Sequence, residues 1–335
     1  MDINLLSEDL QNKISAGEVV ERPSSVVKEL LENSFDAGSS QIDIVIEQGG
    51  NQLIQVRDDG RGIPKDQLPL AIKRFHTSKI SKLDDLFTIS SLGFRGEALA
   101  SIASVAQLSI ISSNGSGEGA ELSITNGRLG ELTPAANING TQVTIRDLFY
   151  NTPARRKFLK APRTEGRKII EMVRRFGLSR PNIGFSLIVD GKKVIDIFPE
   201  ELDERIGSLF DNTYKANLIP IQISKAEYTF TGFVGNLNLI RKRFGEQFIF
   251  MNGRYIKDRL LNSAVYSSYQ SLVKRGEYPF FVINIQIPYE QVDVNVHPMK
   301  TEVRFHDEWR VYHVLKSGVN DALSEILNTI PNFQK

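Results

Sequence analysis

The 335-residue chain has no cysteine, which excludes disulfides, cysteine-ligated zinc and thiol nucleophiles together. Its four histidines, His76, His297, His306 and His313, fall in no H-x-x-x-H spacing, which argues against a zinc hydrolase. No run of about 18 apolar residues occurs, so no membrane span is expected and no membrane partner. The opening MDINLLSEDL is acidic and unlike a secretory leader. From these absences the expected compartment is cytoplasmic: the cytosol or nucleoid of a bacterium, or the nucleus of a eukaryote. Net charge is nearly absent too, at +1.

What is present is the make-up of a soluble globular protein, 41% hydrophobic and 24% charged, with enough length for about two domains. The charge is unevenly spread. Between Arg155 and Arg180 ten basic residues (155, 156, 157, 160, 163, 167, 168, 174, 175 and 180) face only Glu165 and Glu171. That is +8 in 26 residues, which leaves −7 on the rest of a chain of net +1. Such asymmetry predicts a surface for a polyanion.

Helices are predicted over roughly residues 7–15 and 23–37, followed by strands in QIDIVIEQGG and NQLIQVRDDG joined by a QGGN turn. Ile42, Ile44 and Ile46 alternate with polar partners. Residues 66–92 are polar and lack a core pattern. LGFRGEALASIASVAQLSI reads as a glycine-started helix running into a strand, and the Gly/Asn-rich stretch after it as antiparallel strands. A helix near Glu165–Leu178 and the strand FSLIVDGKKVIDIFP close a first domain near residue 200. The acidic PEELDERIG then leads to strands YTFTGFVG and EQFIFMNGR, a helix from about Asp258 to Val273, strand PFFVINIQI, VDVNVHP, EVRF, and a last helix near Trp309–Leu327. This order predicts helices over a mixed sheet.

One segment raises a chemical question. VVKELLENSFDAG places Glu29, Glu32, Asn33 and Asp36 on one helical face: taking Glu29 as origin, the others fall at about −60°, +40° and −20°. Val27, Leu30, Leu31, Ser34 and Phe35 cover the other side. The face is read as holding no Lys or Arg, so its carboxylates repel at i,i+3 and i,i+4 spacing. A wet surface over a core stripe is one reading; an external cation such as Mg²⁺, or a polarised water, is the other.

VRDDGRGI follows a strand. An aspartate at a strand end, Asp58, can accept from an exocyclic amine such as that of adenine, and Gly60 and Gly62 let a flat ligand approach the backbone. A calcium loop fails, because positions 3, 5 and 12 from Asp58 are Gly60, Gly62 and Pro69. GFRGEAL sets Gly93 and Gly96 at a helix start, where N–H groups and the helix dipole suit phosphates. An acid–amide helix, a strand-end D-x-G-x-G, a polar lid and a glycine-rich helix start together make a nucleotide site with Mg²⁺.

In this order and spacing, AGEVVERPSSVVKELLENSFDAG, DDGRGI, HTSK, SLGFRGEALASI, GT, FYNTPARRKF and QVDVNVHPMKTEVRF resemble the N-terminal part of the MutL family of DNA mismatch-repair proteins, within the GHKL ATPases. The resemblance runs from about Leu5 to Phe305, and GFRGEAL with FYNTPARRKF and VDVNVHP carries most of its specificity. It implies an α+β, two-layer α/β architecture. A GHKL (Bergerat-type) ATP-binding sandwich over residues 1–200 would include an N-terminal dimerisation arm (about 1–20) and an ATP lid (about 66–96). A second α/β domain like domain 2 of ribosomal protein S5 would fill 201–335.

The resemblance also implies roles. Glu29 would be the general base for the water that attacks the γ-phosphate, and Asn33 a direct Mg²⁺ ligand. Asp58 would hold the adenine amino group, helped by waters on Thr141, with Gly62 beside it; Glu32 and Asp36 would order water or pair with neighbouring groups. Thr77, Ser78 and Lys79 would belong to the lid, while Gly93, Phe94, Arg95 and Gly96 would cover the phosphates. Lys300, in HPMK, would reach the γ-phosphate. Arg155, Arg156, Lys157, Lys257 and Arg259 are the candidate contacts to double- or single-stranded DNA, without sequence preference. The family further implies slow hydrolysis of ATP with Mg²⁺, stimulated by DNA. It implies a homodimer closed by ATP into a clamp, and as partners a mismatch-recognition ATPase and a downstream nuclease or helicase. No DQHA-type nicking motif occurs, so an ATPase piece of a longer protein, without an endonuclease site, is expected. Two other readings stand beside this one, a phosphotransferase or topoisomerase of the same superfamily and a nucleotide-gated binding module.

Overall fold

The computed structural model describes residues 16, 17, 19–79, 82, 93, 96–115, 117–125, 127–225, 227–293 and 303–329. The expected helix at 7–15, most of the arm, Phe94, Arg95 and Lys300 lie outside them. The chain divides into two compact units, residues 1–174 with 182–199, and residues 175–181 with 200–335.

In the first unit, α1 spans Pro23–Asp36. Pro23 sits at its start, where a missing N–H costs nothing, and Gly38 just past its end has φ +76°, which a residue with a Cβ adopts reluctantly. Val26, Val27, Leu30 and Leu31 are buried, each contributing about 1.5–3 kcal/mol by leaving water. Strands β1 (Gln41–Glu47) and β2 (Leu53–Asp58) form a hairpin in which Ile42, Ile44 and Ile46 are fully buried, as their alternation predicts. After the short α2 (Leu68–Ala71) come α3 (Ala98–Val105) and the antiparallel strands β3 (Gln107–Ser113), β4 (Gly119–Thr125), β5 (Arg128–Ala135) and β6 (Gly140–Arg146).

Two helices, α4 (Pro153–Phe158) and α5 (Pro162–Ser179), carry the chain across to β7 (Gly184–Val189) and its hairpin partner β8 (Lys192–Ile197). The sheet has eight strands in the order β5-β4-β3-β6-β2-β1-β7-β8. Its β1–β7 pair is parallel, which needs a long crossover of this kind.

In the second unit α6 (Leu202–Leu209) and α7 (Asn212–Lys215) precede β9 (Leu218–Lys225), β10 (Tyr228–Gly235), β11 (Ile240–Arg241), β12 (Gln247–Met251) and β13 (Arg254–Ile256). Then follow α8 (Arg259–Tyr269), β14 (Tyr278–Pro279), β15 (Phe281–Gln286), β16 (Val292–Asp293), β17 (Arg304–Phe305) and α9 (Glu308–Thr329). The main sheet is mixed, in the order β13-β12-β15-β10-β9, with β12 and β15 parallel. Phe281, Ile283 and Ile285 of β15 join Leu261 and Val265 of α8 and Val311, Leu315 and Val319 of α9 in one core.

Two features depart from expectation. The acidic PEELDERIG is not a plain connector: it forms α6, whose Arg205 is fully buried. That guanidinium donates to Glu200 (2.8 Å), the Pro181 carbonyl (2.8 Å) and the Gly177 carbonyl (3.2 Å). The strand β9 was not foreseen either. Its Pro220 is a poor strand residue, tolerated because β9 lies at the sheet edge.

Candidate functional site

The acid–amide face of α1 is supplied with cations by the protein itself, contrary to its reading from the helical wheel. Lys28 Nζ lies 3.2 Å from Glu29 Oε1 and 3.1 Å from Glu32 Oε2. Burial pushes the Lys28 ammonium down, but Glu32 and Glu29 outweigh it and hold its pKa above the ordinary lysine value. One turn on, Lys79 Nζ lies 2.5 Å from Asp36 Oδ2 and donates to Asn33 Oδ1 at 2.9 Å. The wheel failed because it places Cβ atoms, whereas a lysine ammonium travels on a long flexible stem.

At the end of β2, Asp58 is 8% exposed. Its Oδ2 accepts from the Ser34 hydroxyl of α1 at 2.9 Å and its Oδ1 from the Gly60 amide at 3.0 Å. Burial raises its pKa above the ordinary carboxylate value, against the pull of those hydrogen bonds. Asp58 lies opposite Thr141 in the β2–β6 register. Gly140 makes that approach possible: it has φ +95°, and a side chain there would strike the Asp58 carbonyl. Ser112 Oγ lies 2.8 Å from Thr141 Oγ1 and accepts from the Ile63 amide at 2.8 Å, tying the glycine turn to β6.

The room at Gly60 and Gly62 is used by the chain. A Cβ at Gly60 would meet Ala37 and Ser39, and one at Gly62 (φ +65°) the Ser113 carbonyl. The sequence reading missed Ser34 and Ser112. Ser34 carried a signal, a hydroxyl within an apolar stripe that needs a buried partner.

Of the lid residues, Thr77 Oγ1 accepts from the Lys79 amide at 3.2 Å, and Ser78 is exposed. The Gly93 amide donates to Asp36 Oδ2 at 3.3 Å, so one carboxylate gathers Lys79 and Gly93. The Gly96 carbonyl accepts from Phe75 N at 3.2 Å, and its φ of +63° lets it pass the His76 carbonyl. Glu97, at the N-cap of α3, makes no side-chain cap.

These residues fit Mg²⁺ held together with a triphosphate. Asn33 has one neutral oxygen, which accepts from the Lys79 ammonium and would have to be given up to the ion; Mg²⁺ takes few protein ligands and completes its shell with water and phosphate. Among the described residues no three His, Asp or Glu are placed to hold a metal alone.

The basic run divides. Arg156, Lys157, Lys160, Arg163 and Arg167 are exposed. The others are engaged or half-buried: Lys168 pairs with Glu165 at 3.3 Å, and Arg175 stacks 4.5 Å from the centre of the Tyr255 ring. Arg174 is half-buried, Arg155 lies against Gly17, and Arg180 against Gly253. Of the candidate DNA contacts, Arg155 is thus partly committed to the fold, while Lys257 and Arg259 in the second unit are exposed.

A family model described as histidine kinase-, DNA gyrase B-, and HSP90-like ATPase matches residues 21–127, and one described as DNA mismatch repair protein, C-terminal domain, matches residues 206–324. The DNA mismatch repair protein MutL of Geotalea daltonii is 42% identical over 336 residues, covering 99% of this chain and 56% of that protein. MutL of Pseudomonas aeruginosa is 45% identical over 331 residues, covering 97% and 52%. The chain spans about half the length of these curated relatives. Among solved structures, the Aquifex aeolicus MutL ATPase domain complexed with ADP is similar with a TM-score of 0.60 at 27% identity, over 81% of this chain and 93% of that one. The N-terminal domain of a DNA repair protein shares the fold, with a TM-score of 0.78 at 24% identity over 96% and 99% of the two chains.

Proposed function

The chain belongs to the MutL family of DNA mismatch-repair proteins, with a GHKL ATPase domain, and we propose that its first unit binds and slowly hydrolyses ATP through the α1 face. The observation that carries this reading is the joint placement of Glu29 and Asn33 one turn apart on a helix whose Ser34 hydrogen-bonds the buried Asp58. Glu29 takes a proton from the water that attacks the γ-phosphorus, and ADP and phosphate leave. Asn33 would hold Mg²⁺, which would neutralise charge developing on the phosphates. Asp58 accepts from the adenine amino group beside Gly62, and Thr141 holds water next to it. Thr77, Ser78, Lys79, Gly93, Phe94, Arg95 and Gly96 enclose the phosphates, and Lys300 binds the γ-phosphate.

In this account ATP binding drives homodimerisation into a clamp. The clamp contacts DNA through phosphates, with Arg156, Lys157, Lys257 and Arg259 as the leading contacts. It links a mismatch-recognition ATPase to a nuclease or helicase where chromosomal DNA is, in the bacterial cytosol. Arg259→Glu should weaken duplex binding and lower the salt slope by about one phosphate contact.

The test is hydrolysis of ATP by this chain with and without Mg²⁺ and duplex DNA, with molar mass by light scattering under a non-hydrolysable analogue. Mg²⁺-dependent turnover, and a dimer formed with nucleotide only, are expected. Failure to bind or hydrolyse ATP would overturn the enzymatic reading. A monomer that binds and hydrolyses would overturn the clamp for this chain.

A further inference from the structure

We infer that Lys28 is a positioning residue for the general base Glu29, anchored by the buried carboxylate of Glu32; the inference rests on the reading of Glu29 given above. Lys28 immediately precedes Glu29 on α1, and its ammonium spans Glu29 Oε1 and Glu32 Oε2 at 3.2 and 3.1 Å. Glu32 is 7% exposed, so its carboxylate is a fixed point beside the half-buried Glu29. A lysine side chain alone has much rotamer freedom, and two carboxylates at hydrogen-bond distance remove most of it.

The consequences for a base are specific. Lys28 holds Glu29 Oε1 and leaves Oε2 to meet the water. It keeps positive charge next to a carboxylate that must work beside a polyanionic substrate. It also offsets the repulsion between Glu29 and Glu32, which the helix otherwise brings together at i,i+3.

A plain helix-stabilising pair would have a different signature. An i,i+4 pair of this kind stabilises a helix slightly and leaves the chemical step alone. A positioning contact acts on the chemical step, where a displacement of about 1 Å can cost about a hundredfold in rate.

The experiment uses this chain with Lys28→Met, Lys28→Arg, Glu29→Gln and the double variant Lys28→Met/Glu29→Gln. Turnover and the equilibrium Kd for a non-hydrolysable ATP analogue are measured side by side. Lys28→Met should lower kcat about tenfold or more and leave Kd within about threefold. Lys28→Arg should recover part of the loss, and Lys28→Met should cost nothing further in the Glu29→Gln background. Unchanged kcat in Lys28→Met with only a lower melting temperature would reduce Lys28 to a helix pair. Equal losses in both backgrounds would likewise overturn the inference. Should Lys28→Met not fold, Lys28→Gln gives the same comparison. Full hydrolysis in Glu29→Gln would instead sink the reading of Glu29; its loss there, with Lys28→Met unaffected, would sink Lys28 alone.

Discussion

The two halves of the α1 polar face carry two carboxylates and one, and they differ in the source of their compensation. In the first half, Glu29 and Glu32 meet Lys28, a neighbour on the same helix. In the second, Asn33 and Asp36 meet Lys79, which arrives 46 residues later in the chain from Asn33. Lys28 stays beside its partners whenever α1 forms, so that pair depends on local structure. Lys79 reaches Asn33 and Asp36 only when the segment around Thr77 is in place, so the second pair reports tertiary structure. The first half is compensated within one helix, and the second only by a contact distant in sequence.

The largest expected difference is in stability without nucleotide. Lys79→Met leaves Asp36, whose side chain is 10% exposed, without its 2.5 Å ion pair and should cost about 2 kcal/mol, with little dependence on salt. Chemical denaturation at low and high salt measures this. Lys28→Met should cost less, about 0.5 kcal/mol, because its side chain is a quarter exposed and the pair is local. Equal losses would break the distinction between local and tertiary compensation.

A smaller and more selective effect separates Asp58 from Asp59. Burial raises the Asp58 carboxyl above the ordinary 3.8, so the folded state keeps a proton that the unfolded state has lost. That contribution to stability is present at low pH and is lost as pH rises through the window above 3.8. At Asp59 burial also pushes upward, but hydrogen bonds from the Ser40 hydroxyl and the Gln41 and Ser40 amides win and hold it low. Its contribution is present above 3.8 and is lost as pH falls below that value. Stability measured from acid to neutral pH should therefore change slope in opposite senses in Asp58→Asn and Asp59→Asn. Slopes of one sign in both would contradict the assignment.

Much of this was legible because the relevant physics is local. Pro23 and Gly38 bracket α1, the alternation of Ile42, Ile44 and Ile46 marks β1, and Ile283 and Ile285 mark the buried face of β15. Glu29, Asn33 and Asp58 stood out through residue type and spacing. What escaped depends on where long side chains end or on distant pairing. Lys28 lay just outside an arc drawn from Cβ directions, and Lys79 has no sequence relation to Asn33. Ser112 meets Thr141 only through the β3–β6 pairing. The basic run between Arg155 and Arg180 predicted one surface, but half of it serves the fold, through Glu165 within the run and through Tyr255, which lies far outside that composition window.

The central claim is that the α1 face performs hydrolysis, with Glu29 as its base. The most direct test is Glu29→Gln, which keeps size and polarity, compared with the parent chain for single-turnover ATP hydrolysis and for analogue binding on one preparation. The account predicts hydrolysis lower by about a hundredfold or more, with affinity within a few-fold of the parent. Hydrolysis at the parent rate, or loss of binding in step with hydrolysis, would contradict it.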